Sequence, residues 1–318
     1  MTAPPERSLS FRLTFAGLGL VRWLFCLLPG PAALFLGERF GDLLRLLLPG
    51  KVRILRDNLS RSDLAPGSPE EARRFERHVF RHFGRLGAEF LRLCELSDRD
   101  VCDLVPVEGL EYFRREYEKG QGVILLTGHL GNWEMALRRI AVEAPGKAHP
   151  VIRRIKNRAV NDFIDRHRHT CGKGDSLLAD LGPKPLIRAL RAGEVLIFLL
   201  DQNAGEGEGI FVPFLGRPAA TYTSLARLSL MTGRPVLPAA CQRLIGGRFR
   251  GRILPPILPE TSLPPEEAAA HLTTLYGQAL DSLVRDYPEQ WIWMHRRWKT
   301  RPPGEPAPSK DMGPGLAS

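Results

Sequence analysis

Two side chains in one short stretch have the types and spacing for acid–base chemistry. Residues 128–134 read Gly-His-Leu-Gly-Asn-Trp-Glu, so four residues separate His129 from Glu134. A neutral imidazole takes the proton of an attacking hydroxyl when a carboxylate holds its second ring nitrogen. The preceding residues 123–127, Val-Ile-Leu-Leu-Thr, read as a buried strand, and a helix is expected to start near Asn132. His129 then sits in the turn between them. Glu134 points back beneath it, as in the base–orienter half of a hydrolase triad. Gly128 and Gly131 let the backbone approach a ligand closely, and the new helix N-terminus offers N–H groups to a phosphate or a developing oxyanion. No serine lies in the stretch and Gly-x-Ser-x-Gly is absent. The chemistry favoured is direct attack of a substrate hydroxyl on an activated acyl group, without an acyl-enzyme. Spacing alone leaves a plainer reading open, in which His129 caps the helix and Glu134 is a first-turn acid favoured by the dipole.

The elements that must position these residues alternate along the chain. Strands are expected at 123–127, 150–154, 194–200, 236–242 and 248–254, the first and third near-continuously apolar, with a short edge strand or turn at 105–110 and a last strand at 291–295. Helices are expected at 68–96, 111–119, 132–142, 157–169, 185–192, 221–232 and 264–286. Ser-Pro-Glu-Glu at 68–71 supplies an N-cap, a proline at the first helical position and a capping-box acid. The alternation predicts an α/β layer structure with a mixed, mostly parallel sheet flanked by helices. His78 and His82, four apart on one helix, read as solvated surface residues rather than a metal pair.

A formal charge of +10 over 318 residues points to an acidic partner. The five cysteines are scattered, odd in number and without a Cys-x-x-Cys pair, which argues for a reducing compartment and against a disulfide framework or zinc cluster. Residues 11–28 carry only Arg12 and Arg22 as charges and approach bilayer-spanning length. Residues 32–48 read as an amphipathic helix ended by Pro49-Gly50. No convincing cleavage site follows, so an uncleaved anchor is expected, with spanning favoured over lying in the interface. Arg39, Arg45, Lys51, Arg53 and Arg56 after the first apolar run argue that the body faces the cytoplasm. The layout is therefore residues 1–50 as anchor and amphipathic helices, 51–303 as catalytic domain and 304–318 as a disordered tail rich in proline and glycine.

Several further motifs carry a resemblance. His-Leu-Gly-Asn-Trp-Glu resembles the signature of the bacterial lipid A biosynthesis acyltransferases, the lauroyl and myristoyl transferases. Arg-Asp-Asn-Leu at 56–59, Val-Ile-Arg-Arg-Ile-Lys-Asn at 151–157 and Asp-Gln-Asn at 201–203 are similar to family segments in the same order. So are Phe-Val-Pro-Phe-Leu-Gly-Arg-Pro-Ala-Ala-Thr at 211–221 and Tyr-Pro-Glu-Gln-Trp-Ile-Trp-Met-His-Arg-Arg-Trp at 287–298. Arg154 stands where the family tends to have proline.

The resemblance implies a glycerol-3-phosphate acyltransferase-like fold and a thioester of acyl carrier protein as donor co-substrate. The acceptor would be a Kdo-bearing lipid A precursor, and the place the inner membrane. His129 and Glu134 would be the base pair, with no bound cofactor and no metal. Substrate contacts would come from Asn132, Arg153, Arg154, Asn157, Arg166, Arg168, Asp201, Gln202 and Arg243; an arginine cluster suits a phosphorylated glycolipid. A solvated basic helix face is the plainer account of those arginines. Asp201 could orient an arginine or a substrate hydroxyl. Phe211, Phe214 and Leu215 would suit an acyl channel or simple loop packing. A monomer is expected. The alternatives are another glycolipid or aminolipid acceptor, or a non-catalytic basic membrane-binding protein. The tryptophans at 291, 293 and 298, interleaved with basic residues, could form a nucleic-acid platform or an interfacial patch, but the alternation in 291–295 fits a strand with one buried face and places some of them in the core. A nucleic-acid partner is not expected, because it leaves the buried strand leading to His129 unexplained.

Overall fold

A computed structural model describes residues 8–153, 155–172 and 174–304. Its helices are α1 (Leu9–Leu27), α2 (Gly30–Leu47), α3 (Pro49–Ser60), α4 (Pro69–Arg92), α5 (Asp98–Leu104), α6 (Leu110–Glu118), α7 (Trp133–Glu143), α8 (Arg158–Thr170), α9 (Pro183–Arg191), α10 (Ser224–Thr232) and α11 (Pro265–Asp286). Its strands are β1 (Val107–Glu108), β2 (Val123–Thr127), β3 (Ala148–Ile152), β4 (Leu177–Leu178), β5 (Val195–Leu199), β6 (Gly209–Phe214), β7 (Arg217–Tyr222), β8 (Val236–Arg243) and β9 (Phe249–Ile253).

Seven strands form one sheet in the order β1-β9-β8-β2-β5-β3-β4. β2 lies parallel to both β5 and β8, and only the β8–β9 pair is antiparallel. All five β2 residues are buried, as a central strand covered on both faces requires. Its alternate side chains feed two cores. Ile124 and Leu126 pack with Leu186, Leu225, Leu272 and Tyr276 of α9, α10 and α11. Val123 and Leu125 pack with Phe113, Leu137 and Ile140 of α6 and α7.

The mixed α/β sheet matches the pattern read from the sequence, with two local departures. The glycine-rich stretch and the residues after it form the antiparallel hairpin β6–β7, and α10 opens only at Ser224. The hairpin turns at Leu215 and Gly216, both with positive φ, a turn that helix periodicity does not register. The expected strand at 291–295 is absent; a short 3-10 helix, Pro288–Gln290, leads into irregular backbone. The alternation there has another cause. Trp291, Trp293 and Trp298 are buried against one another and Phe214, which excludes them as a surface platform.

α1 is long and apolar enough to cross a membrane by length and composition. It nevertheless lies along the body. Phe15 meets Phe163 of α8, Arg22 pairs with Glu95, and Arg92 donates to the carbonyls of Phe25 and Leu28. α2 is packed tightly on α4. A Cβ at Gly84 would lie 2.0 Å from the Gly37 carbonyl oxygen, so the two backbones touch. Asp42 takes a two-pronged bond from Arg81, and buried Glu76 of α4 accepts from Arg45 of α2 and Arg56 of α3. The outer faces of α1 and α2 expose Leu13, Leu20, Trp23, Phe35, Phe40, Leu43 and Leu46.

Two cysteines depart from the expectation. Cys94, just after α4, and Cys171, just after α8, form a disulfide with Cα atoms 4.7 Å apart. They are 77 residues apart in sequence, so only the docking of α8 beside the end of α4 brings them together. Gly84→Val should force α2 off α4. A cost of about 1–3 kcal/mol is expected for such overpacking, read by thermal denaturation as a Tm several degrees lower. An unchanged Tm would show that the α2–α4 contact contributes nothing.

Candidate active site

The register of the central strands builds the site. Thr127 of β2 lies beside Leu199 of β5, and the Leu200 N–H donates to the Thr127 carbonyl. Two residues beyond each strand, His129 and Asp201 therefore emerge side by side at the carboxyl ends of adjacent parallel strands. That edge is where open α/β sheets carry their sites. His129 Nδ1 lies 2.9 Å from Asp201 Oδ1, and the His129 backbone N–H donates to Oδ2 at 2.6 Å. Trp291 Nε1 donates to the same Oδ2 at 3.0 Å. Asp201 is wholly buried. Burial alone would raise its carboxyl, but the His129 charge and these donors prevail and hold it below the ordinary carboxylate range.

A carboxylate on Nδ1 selects the tautomer whose lone pair is on Nε2. Nε2 has no hydrogen-bond partner among the described residues, and the side chain is 21% exposed. Trp133 packs edge-on to the imidazole at 5.0 Å. The arrangement is an imidazole held by a carboxylate and open on one side, which is the geometry a general base needs.

The turn carrying His129 is stitched down. Gly131 N–H donates to the Gln290 carbonyl and Asn132 N–H to the Cys241 carbonyl. Gly131 has φ +59, and a Cβ there would lie 2.0 Å from the Cys241 oxygen, so only glycine fits. His82 Nε2 bonds the Gly131 carbonyl from α4. His82 is thus buried rather than surface-exposed, and burial pushes its pKa down to about 3. Because the amides of His129, Gly131 and Asn132 are bonded within the protein, the turn does not offer them to an oxyanion.

Glu134 does not orient His129, contrary to the expectation from spacing. Its oxygens take Arg168 Nε at 3.1 Å and Nη2 at 2.5 Å, a two-pronged pair buried between α7 and α8. Arg168 is pushed up: burial acts to lower it, and the Glu134 charge and hydrogen bond outweigh that. The remaining sequence-derived residues divide. Asn132 caps α7 through Met135 N–H and donates to Glu89, which also holds Arg243. Asn157 caps α8. Arg153 stacks over Tyr222 and Arg166 over Phe15. The Gln202 carbonyl accepts from Arg297. Arg154 lies outside the described residues. Phe214 and Leu215 are core residues, and Phe211 is exposed. Trp291 was not foreseen as a site residue; nothing in its local sequence says that its N–H ends on Asp201.

For a metal, Cys94, His167 and Cys171 bring three ligand atoms within 4.8 Å, but the disulfide removes both thiolates from ligation.

The lipid A biosynthesis acyltransferase profile matches residues 4–300 of the chain. The chain belongs to the bacterial lipid A biosynthesis acyltransferase family. It is 28% identical to the lipid A biosynthesis lauroyltransferase of Escherichia coli K12 over 302 residues, 93% of this chain and 94% of that one. Identity to the palmitoleoyltransferase of the same strain is 29%, over 92% of this chain and 93% of the relative. A phosphatidylinositol mannoside acyltransferase of Mycobacterium tuberculosis is 26% identical over 223 residues, 68% of this chain and 67% of the relative. In this chain His129 follows the end of β2 and its carboxylate partner Asp201 follows the end of β5.

Replacing Asp201 tests its hold on His129. Asp201→Asn should lower kcat for acyl transfer about 10²–10⁴-fold, the range for losing an oriented general base. The folded state should be retained by circular dichroism. A variant as active as wild type would remove Asp201 from the mechanism.

Proposed function

We propose that the acyltransferase moves a fatty acyl chain from an acyl carrier protein thioester to a hydroxyl of a Kdo-bearing lipid A precursor, in lipopolysaccharide biosynthesis. The observation that carries the chemistry is the His129–Asp201 pair with Nε2 open to solvent, at the carboxyl edge of the sheet. His129 Nε2 takes the proton of the acceptor hydroxyl as its oxygen attacks the thioester carbonyl. The tetrahedral intermediate collapses, the C–S bond breaks, and the proton passes to the departing thiolate. Asp201 keeps Nδ1–H in place and stabilises the imidazolium. Arg168, held on α8 by Glu134, supplies fixed positive charge beside the site for the developing oxyanion. Glu134 acts through Arg168 as a positioning residue in this reading.

The formal charge of +10 suits an acidic carrier protein and a phosphorylated acceptor. The exposed apolar faces of α1 and α2 suit the cytoplasmic surface of the inner membrane. α1 touches the body from Phe15 to Leu28, which favours a helix lying in the interface over one standing across the bilayer. The likeness to the mannoside acyltransferase supports one other acceptor class, a mannosylated phosphoinositide.

Mass spectrometry of lipid A from a deletion strain and its complemented parent tests the reading. One secondary acyl chain should disappear on deletion and return with wild type. His129→Ala should fail to restore it and, in purified form, lose at least about 10²-fold in rate. An unchanged lipid A profile on deletion would redirect the acceptor to another membrane lipid. Full complementation by His129→Ala would sink the mechanism.

A further inference from the structure

A second cluster of cations lies beside the base and has no role in the chemistry just described. A cavity of about 360 Å³ is lined by Lys51, Ile54, Asn203, Met294, His295, Arg296 and Lys299. No carboxylate is among its lining residues. Lys51, Arg296 and Lys299 are exposed, and none pairs with a carboxylate among the described residues. Four of the five arginines expected to bind phosphate have partners elsewhere, and Arg154 lies outside the described residues. Arg168 is on Glu134 and Arg243 on Glu89, while Arg153 and Arg166 lie over aromatic rings.

The cavity is held in shape from both sides. Buried Asn58 of α3 donates from Nδ2 to the carbonyls of Trp293 and His295, at 2.8 and 2.7 Å. That clamps the helix carrying Lys51 to the segment carrying Arg296. Arg297 points inward and donates to the carbonyls of Gln202 and Ala220, which leaves Arg296 and Lys299 facing out. His295 joins the cavity to the active site: its Nε2 accepts from the Asn203 N–H, two residues past Asp201. Its ring lies within electrostatic reach of His129, Asp201 and Lys51. Lys51 also sits in the first turn of α3, where the helix dipole repels a cation. Helix stability therefore does not account for that lysine. Exposed Leu46, Leu47 and Leu48 run straight into this turn in sequence.

We propose that Lys51, Arg296 and Lys299 form a phosphoryl-binding site that docks one substrate of the transfer beside His129. The site rests on the acyl-transfer reading. Its ligand is a phosphate ester, and two substrates carry one: the glycolipid acceptor and the phosphopantetheine arm of the donor. The run of exposed leucines into the first turn of α3 suits a lipid whose phosphate lies at the membrane surface.

The test is a triple variant, Lys51→Gln, Arg296→Gln and Lys299→Gln, assayed on the full chain. With a phosphorylated acceptor and acyl carrier protein thioester, KM for one substrate should rise at least tenfold. Removing the phosphate from that same substrate should abolish the difference between variant and wild type. A difference that vanishes with dephosphorylated acceptor assigns the site to the glycolipid. One that vanishes with an acyl-pantetheine thioester assigns it to the donor. Unchanged KM values for both substrates, in a preparation where wild type transfers, overturn the inference. If wild type transfers to no acceptor, the acyl-transfer reading has failed instead, and binding then decides the site by itself. Inorganic pyrophosphate should broaden its phosphorus resonance with wild type and not with the triple variant; equal broadening overturns the inference on that arm.

Discussion

A buried carboxylate is the constraint around which this protein is arranged. Asp201 is wholly excluded from solvent, and an ionised carboxylate in such a place is tolerated only with donors on its lone pairs. Three donors come from two distant parts of the chain. The His129 N–H and Nδ1 arrive from the turn after β2, and the Trp291 indole arrives from the segment after α11. Each tie has its own support. Gln290 receives the Gly131 N–H, and Gln290 and Arg243 exchange two further bonds. Trp291 is wedged among Phe214, Trp293 and Trp298. The terminal aromatic segment is therefore a clamp on the buried carboxylate.

The N-terminal helices serve two surfaces at once. Inward, α2 meets α4 backbone to backbone, and Glu76 gathers Arg45 and Arg56, so the first helices are part of the folded body. Outward, they present leucines, phenylalanines and a tryptophan to the surroundings. α4 transmits the arrangement to the site, because His82 on its buried face bonds the Gly131 carbonyl and Glu89 bonds both Asn132 and Arg243.

Much of the fold was legible in the chain. The runs at 123–127, 194–200 and 236–242 are largely apolar because their strands lie inside the sheet, and burial of that kind is written in composition; 248–254 instead alternates, with Phe249, Gly251 and Ile253 buried between arginines. Helix starts at Ser68 and Asn132 were legible because caps are local chemistry. The β6–β7 hairpin was not, since its turn uses positive φ at a leucine as well as a glycine. Nor was the disulfide, which depends on two helix ends 77 residues apart meeting in space.

The same division runs through the site. His129 stood out in the sequence as a candidate base, because a histidine in a glycine-flanked turn after a buried strand is a local pattern; spacing alone left a helix-capping role open beside it. The sequence also singled out Glu134, Arg168 and Asp201 as charged residues in the right neighbourhood. Which acid serves which partner was a tertiary decision. Glu134 is near His129 in sequence, yet it begins a helix whose first turn faces α8, so it meets Arg168. Asp201 is 72 residues from His129, yet parallel pairing of β2 with β5 in register brings the two together. Spacing along a chain constrains only residues within a turn or two of one another; strand order and register decide the rest.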